Sequence, residues 1–299
     1  MDQRPSLIRN KLRLGFGCSG VWGQRWFSEK KAADLLAMAI ENGISHFDTA
    51  GFYHQAEMRL GNGIKNFSAD DIFVSTKTGT VLGRGGLTKD FSTRAIYRDV
   101  EQSLKNLGRE QLDLVYLHGP NDEELKQGAD ILDQLKTEGK IRFSGVCSEG
   151  QYLVHAASHS AIDVIMGAYN VFRRAHEPAF ATAKRNGKAV VAIAPLAQGL
   201  YRSDLFAPRS MSDGWHLLRA LVKNKPELDF ARRNHDILDA PDRGPAGVAL
   251  GFVLANRDID VAVTTTTKTV HLEETIDSAM KPLSDDVLGR LQAFDPSGA

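Results

Sequence analysis

What most constrains this 299-residue chain is a pattern that recurs along it eight times: a short apolar run followed by an amphipathic helical stretch. The runs are Leu12 to Cys18, Ile44 to Phe47, Asp71 to Lys77, Leu112 to Leu117, Ile141 to Val146, Ala161 to Ala168, Ala189 to Ala194 and Ile259 to Val263. They read as continuous rather than alternating, as strands buried on both faces do. Between them lie helical stripes such as Ala32, Leu35, Leu36, Ala39 and Ile40, stopped by Asn42-Gly43. Another is Ile96, Val100, Leu104 and Leu107, closed by Gly108. Parallel strands separated by helices, in eight units, predict an α/β fold of the (β/α)8 TIM barrel type. A doubly wound open sheet is the competitor. It needs a glycine-rich turn that opens a helix, and no helical pattern begins at the end of GFGCSG, Gly15 to Gly20. We expect a single domain over 1–299, since such barrels run as one unit at this size. It carries a long, loosely patterned loop insertion at about 197–243, with one amphipathic piece around Trp215, Leu218 and Val222.

Composition excludes several classes of partner. Lys+Arg and Asp+Glu are both 37, the formal net charge is zero, and no basic block stands out as a nucleic-acid footprint. The start, MDQRPSLIRNK, has no apolar stretch of a secretory signal, and no apolar run approaches the roughly 18 residues of a membrane span. Two cysteines, Cys18 and Cys147, are too few for a disulfide scaffold and lack metal-ligand spacing. The expectation is a cytoplasmic protein with a small-molecule partner, without metal, nucleic acid or membrane.

In a barrel of this type the C-terminal strand ends form the active face. Three consecutive strands place ionisable residues there: Asp48 after the second, Lys77 on the third and His118 on the fourth. Tyr53 follows on the loop beyond Asp48. A single strand-end lysine or histidine is more often a structural partner than a catalyst, but four residues on adjacent strands converge on one patch. Their chemistry is acid–base. A phenol titrates near 10; an ammonium beside it favours the phenolate, and a carboxylate holds the ammonium. His118 is then placed to hydrogen-bond a substrate oxygen.

Several motifs sit in one order along the chain: LGFG at Leu14 to Gly17, FDTAGFY at Phe47 to Tyr53, E-x-x-LG at Glu57 to Gly61, and STK at Ser75 to Lys77. DLVYLH at Asp113 to His118, KIRFSGV at Lys140 to Val146, APLAQGL at Ala194 to Leu200 and HLEETI at His271 to Ile276 follow. With these the chain resembles the aldo-keto reductases from about Leu12 to Ala279. The resemblance implies an NAD(P)(H)-dependent oxidoreductase acting on an aldehyde, ketone or sugar, with Tyr53 as general acid/base and Asp48, Lys77 and His118 beside it. STKTGTVLG resembles the aldose dehydrogenase side of the family. A cofactor-binding regulatory subunit with little turnover is the alternative.

For the cofactor, the resemblance implies contacts from Gly17, Cys18, Ser148, Met166, Leu196, Gln198 and Gly199. At the adenosine end it implies Thr265, Thr266, Lys268, Glu274 and Thr275, with NADP(H) favoured over NAD(H). The family's Ser-Asn pair falls on Cys147 and Ser148, its glutamine on Met166 and its stacking aromatic on Ile193. The nicotinamide is therefore expected to be held either more weakly or in a rearranged way with help from Tyr169 or Asn170. Arg202, Arg209, Arg219 and Lys223 are candidates for a strap over the phosphates. Trp22, Trp26 and Phe52 are expected to wall the substrate site.

Overall fold

The computed structural model describes residues 5–9, 12–83, 86–199 and 225–296. Ten strands occur among them: β1 (Leu14–Gly17), β2 (His46–Asp48), β3 (Phe73–Thr78), β4 (Thr80–Gly83), β5 (Gly86–Lys89), β6 (Leu112–His118), β7 (Ile141–Cys147), β8 (Val164–Ala168), β9 (Ala189–Ile193) and β10 (Val261–Thr264). Eight of them close in the order β1-β10-β9-β8-β7-β6-β3-β2, every pair parallel. The remaining two, β4 and β5, pair with each other as an antiparallel hairpin.

The helices start and stop where local chemistry directs. Ser28 caps Glu29–Glu41 by accepting from Lys31 N, and Ser92 caps Thr93–Leu107 by accepting from Ala95 N. Asn121 and Glu124 form a reciprocal capping box on Asp122–Thr137. Gly108, at φ 64°, ends Thr93–Leu107 in the left-handed region, which costs glycine nothing.

Alternate residues of the strands fall into two separate apolar clusters, as the period of two demands. One joins strands to helices. The other fills the lumen with Phe73, Leu114, Tyr116, Val164, Val191 and Val261, and Leu7 belongs to it. Residues 5–9 thus close the barrel floor. Arg9 N donates to Ser45 Oγ at 2.9 Å, the Arg9 guanidinium pairs with Asp113 at 3.0 Å, and it lies 5.5 Å from the centre of the Phe73 ring. All three partners stand at the N-terminal ends of their strands.

Four stretches depart from the sequence reading. Gly150–Ser158 is a helix between β7 and β8 that the pattern leaves unread, because only Leu153, Ala156 and Ala157 are buried and exposed Tyr152 and Val154 blur the stripe. The hairpin β4–β5 after the third strand is also unread, because its mostly exposed strands give no alternation. Within the expected insertion, Lys225–Arg233 is helical and His235–Leu238 is a 3-10 turn, while Trp215, Leu218 and Val222 lie outside the described residues. Asp71 belongs to a 3-10 turn, so the third strand begins at Phe73. Among the described residues no helix is long and apolar enough to cross a membrane.

Candidate active site

Register brings the ionisable residues together. Asp48 ends β2 opposite Ser75, Lys77 stands two residues further along β3, and His118 ends β6 opposite Cys147. Asp48 and Lys77 are both buried. The Lys77 ammonium donates to Asp48 Oδ2 at 2.5 Å and to the Thr49 carbonyl at 2.8 Å. Burial by itself would strip the Lys77 proton. The carboxylate of Asp48, with Tyr53 and Cys147 behind it, outweighs that and holds the group above its ordinary value. Lys77 is therefore a permanent cation, and its Nζ lies 5.6 Å from the Tyr53 ring centre.

Tyr53 is placed by backbone. Its N–H donates to the Ala50 carbonyl at 2.9 Å and its own carbonyl accepts from Ala56 N at 3.1 Å. The next residue, His54, has φ 54°, a left-handed turn that a non-glycine residue adopts at some cost. The first loop presses on it from outside: a Cβ at Gly23 would sit 2.1 Å from the Tyr53 carbonyl oxygen. Gly23 is what lets two backbones meet there. Phe52 then links the tyrosine to the histidine, edge-on to Tyr53 at 4.5 Å and stacked on His118 at 5.1 Å and 22°.

Burial, then the positive charges of Lys77 and Lys89, lower the His118 pKa from 6.5 to about 3. The imidazole is neutral at physiological pH and offers one N–H. Its Nδ1 is buried with no hydrogen-bond partner among the described residues. Because the folded-state value is depressed, unfolding binds a proton in the window from 6.5 down to about 3. The stabilisation is complete above that window and lost as pH falls through it. Thermal unfolding followed against pH should show this acid sensitivity in the wild type and less of it in His118→Asn. The Cys147 thiol, pushed up to about 12 chiefly by burial, stays protonated.

The expected cofactor residues divide by place. Gly17 ends β1 so close to the last loop that a Cβ would lie 2.5 Å from Thr265 Oγ1. The Cys18 N–H donates to the Asp48 carbonyl at 2.7 Å, and Ser148 N donates to the Met166 carbonyl at 3.1 Å. Ser148 and Met166 are buried, Met166 within the lumen cluster. Leu196 and Gly199 are half-buried beside the 3-10 turn Ala197–Gly199, and Ala194 and Ala197 both have positive φ. Of Gln198 only the backbone is described. At the far side Thr265 is exposed, and Thr266 Oγ1 accepts from Lys268 N at 3.1 Å, at the start of helix Thr269–Met280. Glu274 is exposed on that helix, and Thr275 Oγ1 donates to the His271 carbonyl at 2.6 Å. Arg202, Arg209, Arg219 and Lys223 lie outside the described residues.

Hydroxyls, a lysine and the start of a twelve-residue helix suit a phosphate. At the opposite end the donors are fewer. Tyr169 and Asn170, expected to assist there, are otherwise engaged. Tyr169 donates to Glu177 at 2.6 Å, while Asn170 Nδ2 donates to the Ala194 carbonyl and its Oδ1 accepts from Phe172 N. Ser148 carries a buried hydroxyl nearby, while the Met166 thioether offers no donor.

Trp22 does not line an open wall. It has no exposed surface, packs edge-on to Phe16 at 5.2 Å, and its Nε1 donates to the Thr266 carbonyl at 3.0 Å. Its work is to tie the first loop to the last. Trp26 is exposed and Phe52 half-buried beside His118. Two residues of the site were not singled out by sequence. Ser75 stands inside the STK motif, so a signal was present; Lys89 had none, since its place depends on the hairpin.

The molecule is thus a closed parallel (β/α)8 barrel whose mouth carries a buried lysine–carboxylate pair beside a tyrosine and a neutral histidine. The model of the aldo/keto reductase family matches residues 13–296, and the chain belongs to that family. It is 29% identical over 289 residues to the uncharacterized oxidoreductase YqkF of Bacillus subtilis (strain 168), covering 94% of this chain and 91% of that protein. It is 28% identical over 210 residues to the NADH-specific methylglyoxal reductase of Escherichia coli (strain K12), covering 63% of this chain and 64% of the relative. Among solved structures it is similar to the holo form of aldo-keto reductase AKR11C1 from Bacillus halodurans. There the TM-score is 0.76 and the identity 25%, over 97% of this chain and 94% of the other.

Proposed function

We propose that this chain is an NAD(P)(H)-dependent oxidoreductase that interconverts a carbonyl, in an aldehyde, ketone or sugar, with the corresponding alcohol, and that Tyr53 is its general acid/base. The observation that carries this is the buried Lys77 ammonium, fixed by Asp48 and the Thr49 carbonyl and bearing on Tyr53. In reduction the Tyr53 hydroxyl gives its proton to the carbonyl oxygen, and the Lys77 cation favours the phenolate left behind. His118, being neutral, donates an N–H to the same oxygen rather than a proton. A bound nicotinamide supplies or accepts the hydride. Phe52, stacked on His118, is the side chain we assign to the substrate wall.

Thr265, Thr266 and Lys268 support NADP(H) over NAD(H), since hydroxyls and a cation at a helix start suit a 2′-phosphate. The related reductase described as NADH-specific is the counter-example within the family. Fluorescence titration with NADPH and NADH tests the choice. Lys268→Ala should weaken NADPH binding by about two- to fivefold, an exposed ion pair's contribution of up to about 1 kcal/mol, and leave NADH unchanged. Equal losses for the two would remove Lys268 from phosphate recognition.

A regulatory subunit that binds cofactor with little turnover is the second reading, favoured by Cys147, Met166 and Ile193 where more polar or aromatic groups hold a nicotinamide in the family. A panel of aldehydes, ketones and sugars with NADPH or NADH separates the two. Oxidation of cofactor with any of them supports the enzyme; binding without oxidation supports the subunit.

A further inference from the structure

The polar set continues beneath the mouth. Within the lumen, Asp48 Oδ1 accepts from Ser75 Oγ at 2.8 Å while Oδ2 accepts from Lys77 at 2.5 Å. The carboxylate is thus gripped from both oxygens. Below Ser75, His46 Nε2 lies 3.3 Å from the same hydroxyl, and His46 Nδ1 lies 2.9 Å from the Leu7 carbonyl on the barrel floor. His46 has no exposed surface, and its ring is stacked on Phe73 at 5.0 Å and 16°. A connected column therefore runs from the floor strap to the lysine.

The proton positions follow from the acceptors. The Leu7 carbonyl can only accept, so His46 Nδ1 carries the hydrogen. Burial chiefly lowers the affinity of His46 for a second proton, with Lys77 adding to the effect and the Leu7 carbonyl and Asp48 opposing it. Its Nε2 then faces Ser75 as a lone pair. The one hydroxyl proton of Ser75 has a choice between Asp48 Oδ1, Nε2 and the Phe47 carbonyl at 3.5 Å. The shortest, charge-assisted bond prevails, so the proton goes to Asp48. Without it, Oδ1 has no other hydrogen-bond partner among the described residues, and the carboxylate is free to turn and carry the ammonium off its line to Tyr53.

We propose that Ser75, held between His46 and Asp48, is a positioning residue that sets the Asp48 carboxylate and, through Lys77, the acidity of Tyr53. The kinetic part of this rests on the reductase reading; the geometric part does not.

The test is a double-mutant cycle read on Tyr53 itself. Ring-labelled tyrosine NMR, with the Tyr53 signal assigned by its loss in Tyr53→Phe, follows the phenol titration in the whole protein without substrate. Lys77 lies beside the Tyr53 ring and His118 across Phe52, and Asp48, Cys147, Tyr116 and Cys18 are the titratable groups coupled to that lysine–carboxylate pair, with His46 below Ser75. Ser75→Ala should move the Tyr53 titration up by about one pH unit in the native background and not at all in Asp48→Asn. Ser75→Thr, which keeps the hydroxyl, should restore it and shows that the lumen tolerates change at this position. In turnover, Ser75→Ala should lower kcat about tenfold with cofactor Kd unchanged, and shift the basic limb of alcohol oxidation upward with the phenol. Equal shifts in both backgrounds, or none in either, would overturn the proposal. Absence of turnover in the wild type would instead remove the reductase reading, and the titration would still decide the role of Ser75.

Discussion

Tyr53→Phe should abolish most carbonyl reduction, by ~10²–10⁴-fold in kcat, and leave cofactor affinity nearly unchanged. The substitution removes one hydroxyl from a half-buried ring and keeps the contacts that seat it: Phe52 edge-on at 4.5 Å and the backbone bonds to Ala50 and Ala56. The loss should therefore appear in kcat rather than in folding or binding. Steady-state kinetics on whichever carbonyl the panel identifies, with a cofactor titration alongside, measures both. A fall of less than about tenfold would move the proton source elsewhere. His118 is a poor replacement, since its imidazole is already neutral at physiological pH.

Lys77→Met should be the most destabilising single change at the site. Met fills much of the same volume but leaves Asp48 charged, buried and stripped of its cation. Breaking a buried pair from one side costs about 3–5 kcal/mol, so the melting temperature should drop on the order of 10 °C. Adding Asp48→Leu removes the stranded charge, and at least half the lost stability should return while activity stays absent. Thermal unfolding at neutral pH of the two variants and the wild type measures this. A Lys77→Met protein as stable as wild type would mean that the pair contributes to chemistry alone.

The barrel was legible because eight short, mostly apolar runs and most of the helical stripes between them are local patterns. The pairing of Asp48 with Lys77 was legible for the same reason: both stand at the ends of neighbouring strands. What escaped depends on contacts that no window of sequence contains. The hairpin β4–β5 has little buried face to pattern it. Trp22 reads as a wall residue from its place after β1 yet folds inward, because Phe16 and the Thr266 carbonyl offer it edge packing and an acceptor. Asn170 and Tyr169 read as spare polar groups, whereas turn carbonyls and Glu177 already use them. Gly23 carries no motif at all. Its need for a bare Cα exists only because the carbonyl of Tyr53 arrives beside it.

The floor strap at Leu7 has a consequence for anyone who would graft this mouth onto another barrel. Loop transplantation assumes that the rim can be exchanged and the interior inherited. Here the rim residues Asp48 and Lys77 hang from a lumen serine, that serine from a histidine, and the histidine from the backbone of Leu7. A recipient with an aliphatic layer under its rim would take up the four side chains without the structure that aims them. The portable unit runs from rim to base, and the N-terminal strap travels with it.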